Sequence, residues 1–322
     1  MFWRRKKAQP PFVSCFGKLP ATGDFIRLNA TSDEFAAFDQ WMGASINLAR
    51  ETLGAGFEQA YMPAVGLFMF HGSAPKGNEP ERGLVGVWAA SGDNAGRHYP
   101  MVVCASYDYD QLVSAGAALP IATWTFLTAA YNLVAMGRGL QVDDFLSRVA
   151  QIQPPSLENT EVATAAYYEW LQHQTMRGLW ETGFGSEAIR FWVIHNIIAS
   201  VEIFRGQELP ETSLAIRFPI GAGDTYAASV WMDVTMRLAG WKRTLFNAYW
   251  TPQRDLLVHL GQPHVATYRE LIAPTLNAEH ITDLHTPPSI VEQEARERLG
   301  PDLAKLVDQT DMRIDVFLRS LA

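Results

Sequence analysis

Ser14-Cys15-Phe16-Gly17-Lys18-Leu19-Pro20-Ala21-Thr22-Gly23-Asp24-Phe25 reads as a strand end running into a turn. The apolar run stops at Lys18. Pro20 fixes its own φ and biases Leu19 toward extended geometry, and Gly23 admits a backbone conformation closed to most residues. Thr31-Ser32-Asp33-Glu34 then signals a helix start. Such a strand-to-helix corner is either a structural joint or a platform presenting Lys18 and Asp24.

Outward from this corner, residues 34–53 carry Phe35, Phe38, Met42, Ile46 and Ala49 at helical spacing with Trp41 beside the stripe, predicting a core-packing helix. Strand-like runs follow at 64–71, 83–90 and 99–107, separated by loops at 72–80 and 91–98. Strands this close imply antiparallel pairing. Helical patterns then occupy 112–136, 141–152, 158–176 and 186–206. Strand signals return at 213–220, 245–249 and 256–260 around a helix at 225–238. Helices at 267–273 and 291–321, the latter divided at Gly300-Pro301, finish the chain, and 276–289 reads as a long surface loop.

Leu19-Pro20-Ala21-Thr22-Gly23-Asp24 is echoed by Phe218-Pro219-Ile220-Gly221-Ala222-Gly223-Asp224, each ahead of a tryptophan-bearing helix and paired strands. Two related β-α-β-β units flanking a helical middle are one explanation, and chance likeness of two Pro/Gly-rich turns is the other. Strand order and direction decide between them. The expected fold is α/β, a layered αβα sandwich with a mixed, partly antiparallel sheet. Its segments are a basic flexible tail (1–12), an N-terminal α/β domain (13–112), a helical middle (113–210) and a C-terminal α/β region packed with the first (211–322).

The 322 residues, 48% hydrophobic and 19% charged, suit a folded soluble protein rather than a disordered one. A formal charge of −8 argues against general nucleic-acid or anionic-membrane binding. Cys15 and Cys104 lie in apolar runs and read as buried, reduced thiols of a cytoplasmic protein. The basic Met1-Phe2-Trp3-Arg4-Arg5-Lys6-Lys7 is not followed by a secretory apolar core. The uncharged stretch between Asp110 and Arg138 holds Pro120, Asn132 and several hydroxyl residues, so a buried helix explains it better than a bilayer span.

Catalytic signatures are absent: there is no phosphate-binding GxxxxGK[ST] loop, no GxSxG elbow and no HExxH pair. The scattered histidines do not suggest a metal site, and no cofactor is expected. The best constellation joins Lys18 and Asp24 with Asp93, Arg97 and His98. If both loops lie at one edge of the sheet, Asp24 and Arg97 are expected to form a bidentate pair tying them together. The functional alternative is a polar binding edge, or an acid–base site with His98.

Gly17-Lys18-Leu19-Pro20, Gly23-Asp24-Phe25, Trp41 in the following helix, then Asp93, Gly96-Arg97 and Tyr99-Pro100 together resemble the TagF (ImpM/SciT) family of bacterial type VI secretion. The resemblance covers about the first 110 residues, with Ala95 standing where a larger residue is common. It marks 13–112 as TagF-like and implies an αβα fold and a cytoplasmic, non-enzymatic accessory protein. It also implies post-translational repression of secretion through the forkhead-associated (Fha) scaffold protein. On that reading the motif residues form or support a docking surface. Other secretion-system components are further candidate partners; nucleic acid and membrane insertion are not expected. The rival readings are a hydrolase or nucleotide-handling enzyme using Asp24, Arg97 and His98, and a structural subunit of the secretion baseplate.

Overall fold

The computed structural model describes residues 11–72, 82–205, 213–220, 225–242, 247–250, 255–275, 278–285 and 292–321. The basic tail through Pro10, most of the 72–80 loop and Gly221-Ala222-Gly223-Asp224 lie outside the described residues.

Among the described residues, nine strands make one mixed sheet. They are β1 (Phe12–Gly17), β2 (Ile26–Leu28), β3 (Val65–His71), β4 (Arg82–Ala89), β5 (Met101–Asp108), β6 (Ala215–Pro219), β7 (Asn247–Trp250), β8 (Asp255–His259) and β9 (Ile281–Asp283). The order across the sheet is β2-β1-β5-β4-β3-β7-β8-β6-β9. All pairs are antiparallel except β6 with β9.

The strands are apolar on both faces because helices cover both. On β4, Val85, Val87 and Ala89 enter one core while Leu84 and Trp88 enter the other. The period of two along a strand produces this split. Helices α1 (Asp33–Leu53) and α2 (Phe57–Tyr61) lie on the second face. The first face takes α3 (Tyr109–Ala115), α4 (Leu119–Gly137), α5 (Val142–Gln151), α6 (Glu161–His173), α7 (Met176–Phe184), α8 (Arg190–Val201) and α9 (Thr225–Ala239). Helix α10 (Thr267–Ile272) returns to the α1 side. Helices α11 (Glu292–Arg298), α12 (Pro301–Val307) and α13 (Ile314–Ser320) close the first face. The αβα expectation holds.

The two-unit expectation does not. Following the antiparallel pairs, β1 and β3 run in opposite senses with β5 and β4 between them, whereas β6 and β7 run in the same sense with only β8 between. In addition, α1 and α9 cover opposite faces. The turns resemble each other because Pro and Gly punctuate strand ends, not because the units are related. Two short edge strands, β2 and β9, also differ from expectation; β9 sits inside the stretch read as a surface loop. The C-terminal helix breaks a second time, at residues 308–313, where the Thr310 N–H turns back to the Asp308 carbonyl.

The stretch 109–137 is long and apolar enough to cross a membrane, yet it is two helices joined by a 3-10 turn at Gly116–Ala118. Leu119, Phe126, Leu127, Ala130, Leu133 and Val134 of α4 pack into the core against β4 and β5. Cys15 and Cys104 are free and buried, and burial pushes the Cys15 thiol up to about 12.

Candidate functional site

The turn after β1 and the loop between β4 and β5 meet at one end of the sheet, cross-linked around Asp93. Its side chain is fully shielded. Oδ2 accepts from Lys18 Nζ at 2.5 Å and from Arg97 Nε at 2.7 Å. Oδ1 accepts from the backbone N–H groups of Ala95 and Arg97 at 3.0 and 2.9 Å. This is the self-bonded turn that Asp favours because its short side chain reaches backbone donors just ahead. The Lys18 hydrogen bond, helped by the Arg97 donors, holds the Asp93 carboxyl well below the usual range despite the opposing effect of burial.

Further bonds lock the two loops. Arg97 Nη2 donates to the Gly23 carbonyl at 2.7 Å, and the Asn94 N–H donates to the Thr22 carbonyl at 3.3 Å. Ser91 Oγ donates to the Lys18 carbonyl at 2.7 Å. The Tyr61 hydroxyl donates to the Ser91 carbonyl at 2.7 Å and accepts from its N–H at 3.0 Å. Gly96 takes φ +77°, which closes the loop.

Asp24 is not the residue that holds the corner. The Gly23 carbonyl faces Arg97, the Asp24 N–H turns to Thr22 Oγ1 at 3.1 Å, and the Asp24 side chain is left exposed. The expected Asp24–Arg97 pair is replaced by Asp93–Arg97. Replacing Asp93 with alanine is therefore expected to lower the thermal midpoint at pH 7, whereas Asp24→Ala stays within about 0.5 kcal/mol of the parent. Because the Asp93 pKa is depressed on folding, its stabilisation is complete above the unfolded value of about 3.9 and is lost as pH falls below it. The Asp93→Ala deficit should then shrink in acid. Equal midpoints for the two variants at pH 7 would refute this assignment.

The remaining motif residues divide by depth. Gly17, Leu19, Trp41 and Pro100 are buried; Lys18, Gly23, Phe25 and Tyr99 are half-buried; Pro20, Gly96 and Arg97 are exposed. Phe25 packs edge-on to Tyr99 with ring centroids 5.0 Å apart, and the Tyr99 hydroxyl bonds Asp39, which pairs with Arg27. Trp41 stacks on Tyr249 at 5.0 Å and donates from Nε1 to the His264 carbonyl at 3.2 Å. It thus seams α1 to β7 and the segment before α10. His98 packs against the rings of Phe57 and Tyr61, at 5.8 and 5.3 Å, and does not join Asp24 and Arg97 in a common constellation.

A second charged cluster escaped the sequence reading. Arg217 on β6, 2% exposed, bonds Glu270 at 2.8 Å and Asp283 at 2.7 Å, with Asp255 at 3.6 Å. Glu270 also accepts from the Thr275 N–H and hydroxyl at 2.9 Å each. The available signal was a lone arginine inside the apolar strand Ala215–Pro219, which must find carboxylates if buried. Nearby, the His264 and His280 rings lie 4.3 Å apart, and burial pushes His280 down to about 4. Among the described residues no group of three His, Cys, Asp or Glu is placed to hold a metal ion.

Both cross-linked loops and α1 fall within residues 14–152, which match the family model of the TagF N-terminal domain, type VI secretion system-associated. The chain carries a TagF N-terminal domain. That domain is type VI secretion system-associated. No curated protein matches its sequence. The crystal structure of PA0076 from Pseudomonas aeruginosa PAO1 is similar with a TM-score of 0.38 and 22% identity, over 45% of this chain and 64% of that one. The chain thus spans less than two thirds of that protein's length. In the TagF N-terminal domain, both motif stretches belong to the corner built on Asp93.

Proposed function

We propose that this protein is a cytoplasmic accessory factor that represses type VI secretion after translation by binding the forkhead-associated scaffold protein. It acts as a binding protein rather than a catalyst. The observation carrying this reading is that the two motif stretches of a secretion-associated domain converge on one rigid corner with an exposed rim. Pro20, Ala21, Asp24, Asn94, Ala95, Gly96 and Arg97 are all exposed there. A preformed surface limits the ordering cost of association.

The test is titration of the purified full-length protein into the cognate forkhead-associated protein by calorimetry. A saturable complex with a dissociation constant in the micromolar range or tighter is expected. Absence of heat and of comigration on gel filtration at micromolar concentrations of both proteins would overturn the reading.

A further inference from the structure

Arg97 does more than strap two loops together. Lys18 already neutralises Asp93, so the Lys18–Asp93–Arg97 triad carries a surplus positive charge. That charge sits on a guanidinium whose side chain is 64% exposed yet fixed at two points, Nε on Asp93 and Nη2 on the Gly23 carbonyl. Nη1 has no acceptor among the described residues. An exposed arginine ordinarily gives up side-chain entropy when it docks; this one is already ordered.

Asp24 stands on the adjoining loop with its carboxylate exposed and given no donor among the described residues. The two opposite charges are neighbours in the fold and do not neutralise each other. Arg97 Nη2 donates to the Gly23 carbonyl and the Asp24 N–H donates to Thr22 Oγ1, and among the described residues no ion pair joins Asp24 to Arg97. Around them are small or neutral residues. Pro20, Ala21, Asn94, Ala95 and Gly96 beside them are exposed, and the Arg97 side chain itself is open to solvent.

We infer that Arg97 and Asp24 form a pre-oriented docking pair, Arg97 Nη1 taking a carboxylate side chain of a protein partner and Asp24 a basic one. The inference rests on the scaffold-binding reading above and names the chemistry of its contact. A partner bearing an acid–base pair in the reverse order fits this edge, and a like-charged surface is repelled. Such charge matching sets register and the rate of encounter as well as affinity.

The experiment compares binding of the parent, Asp24→Lys, Arg97→Lys and Arg97→Gln to the forkhead-associated protein, by calorimetry at two salt concentrations. Thermal midpoints are measured alongside. Asp24→Lys, which removes no side-chain bond, should keep its midpoint and lose about tenfold or more in affinity. Arg97→Gln should lose at least as much, with Arg97→Lys intermediate, and the parent's affinity should fall as salt rises. A parent that binds while Asp24→Lys and Arg97→Gln bind equally well overturns the inference and leaves the scaffold reading intact. A parent that does not bind at all overturns both.

Discussion

Arg217→Ala is expected to cost about 3–5 kcal/mol of unfolding free energy, the range for removing one partner of a buried ion pair. The substitution takes away the only described cation bonded to Asp283 and leaves Glu270, whose side chain is fully shielded, with Arg269 as its one described cation beside the Thr275 donors. Its effect is regional before it is global. Arg217 lies directly opposite Asp283 in the β6–β9 register, and Glu270 sits on α10, so one guanidinium ties the edge strand and the helix above it to the sheet. Urea denaturation gives the magnitude, and hydrogen exchange should show lost protection first at residues 281–283. Arg217→Met combined with Asp283→Asn should recover part of the loss, because it also neutralises the carboxylate left without a described cation. A loss below about 1 kcal/mol for Arg217→Ala would mean that the cluster adds little to holding this edge.

Gly17→Ala should be nearly as damaging, for a steric reason. Gly17 closes β1 at φ +138°, and a Cβ there would lie 2.1 Å from the Pro100 carbonyl oxygen and 2.8 Å from the Met101 Cα. Both obstacles are backbone atoms at the start of β5, the strand hydrogen-bonded to β1, so neither can swing aside. Strain and overpacking together are expected to cost roughly 3 kcal/mol or more. Gly96→Ala provides the comparison. It also has a positive φ, +77°, but nothing near the added methyl, so only the conformational cost of about 1–2 kcal/mol applies. Equal thermal midpoints for the two variants would rule out the collision at Pro100. This contact brings together Gly17 and Pro100, 83 positions apart, from the two motif stretches.

Much of the layered fold was legible because its strands are long apolar runs and its helices keep a 3.6-residue stripe. Phe35, Phe38, Met42 and Ile46 are buried where that stripe places them. The three-residue strands β2 and β9 left no periodicity to read, and Asp283 on β9 looked like loop composition. The break at residues 308–313 was legible in principle from the Asp-Gln-Thr-Asp run, which favours turns over a continuing helix. At the corner, the participating loops could be read from Pro20, Gly23 and Gly96. Which aspartate closes them could not, since Asp24 and Asp93 both flank glycines and both lie within reach of an arginine by composition alone.

The sequence by itself determined the order of the longer strands and helices and the burial of the sheet on two faces, because those follow from local periodicity and from the total of apolar surface. It also marked the two stretches that meet at the corner. Tertiary structure alone decided that Asp93 anchors Lys18 and Arg97, that Asp24 is left outward, that Arg217 gathers three carboxylates, and that the two halves differ in strand direction. Each of these depends on contacts between residues far apart in the chain. Such pairings are selected by backbone register and packing, which no short window of sequence contains.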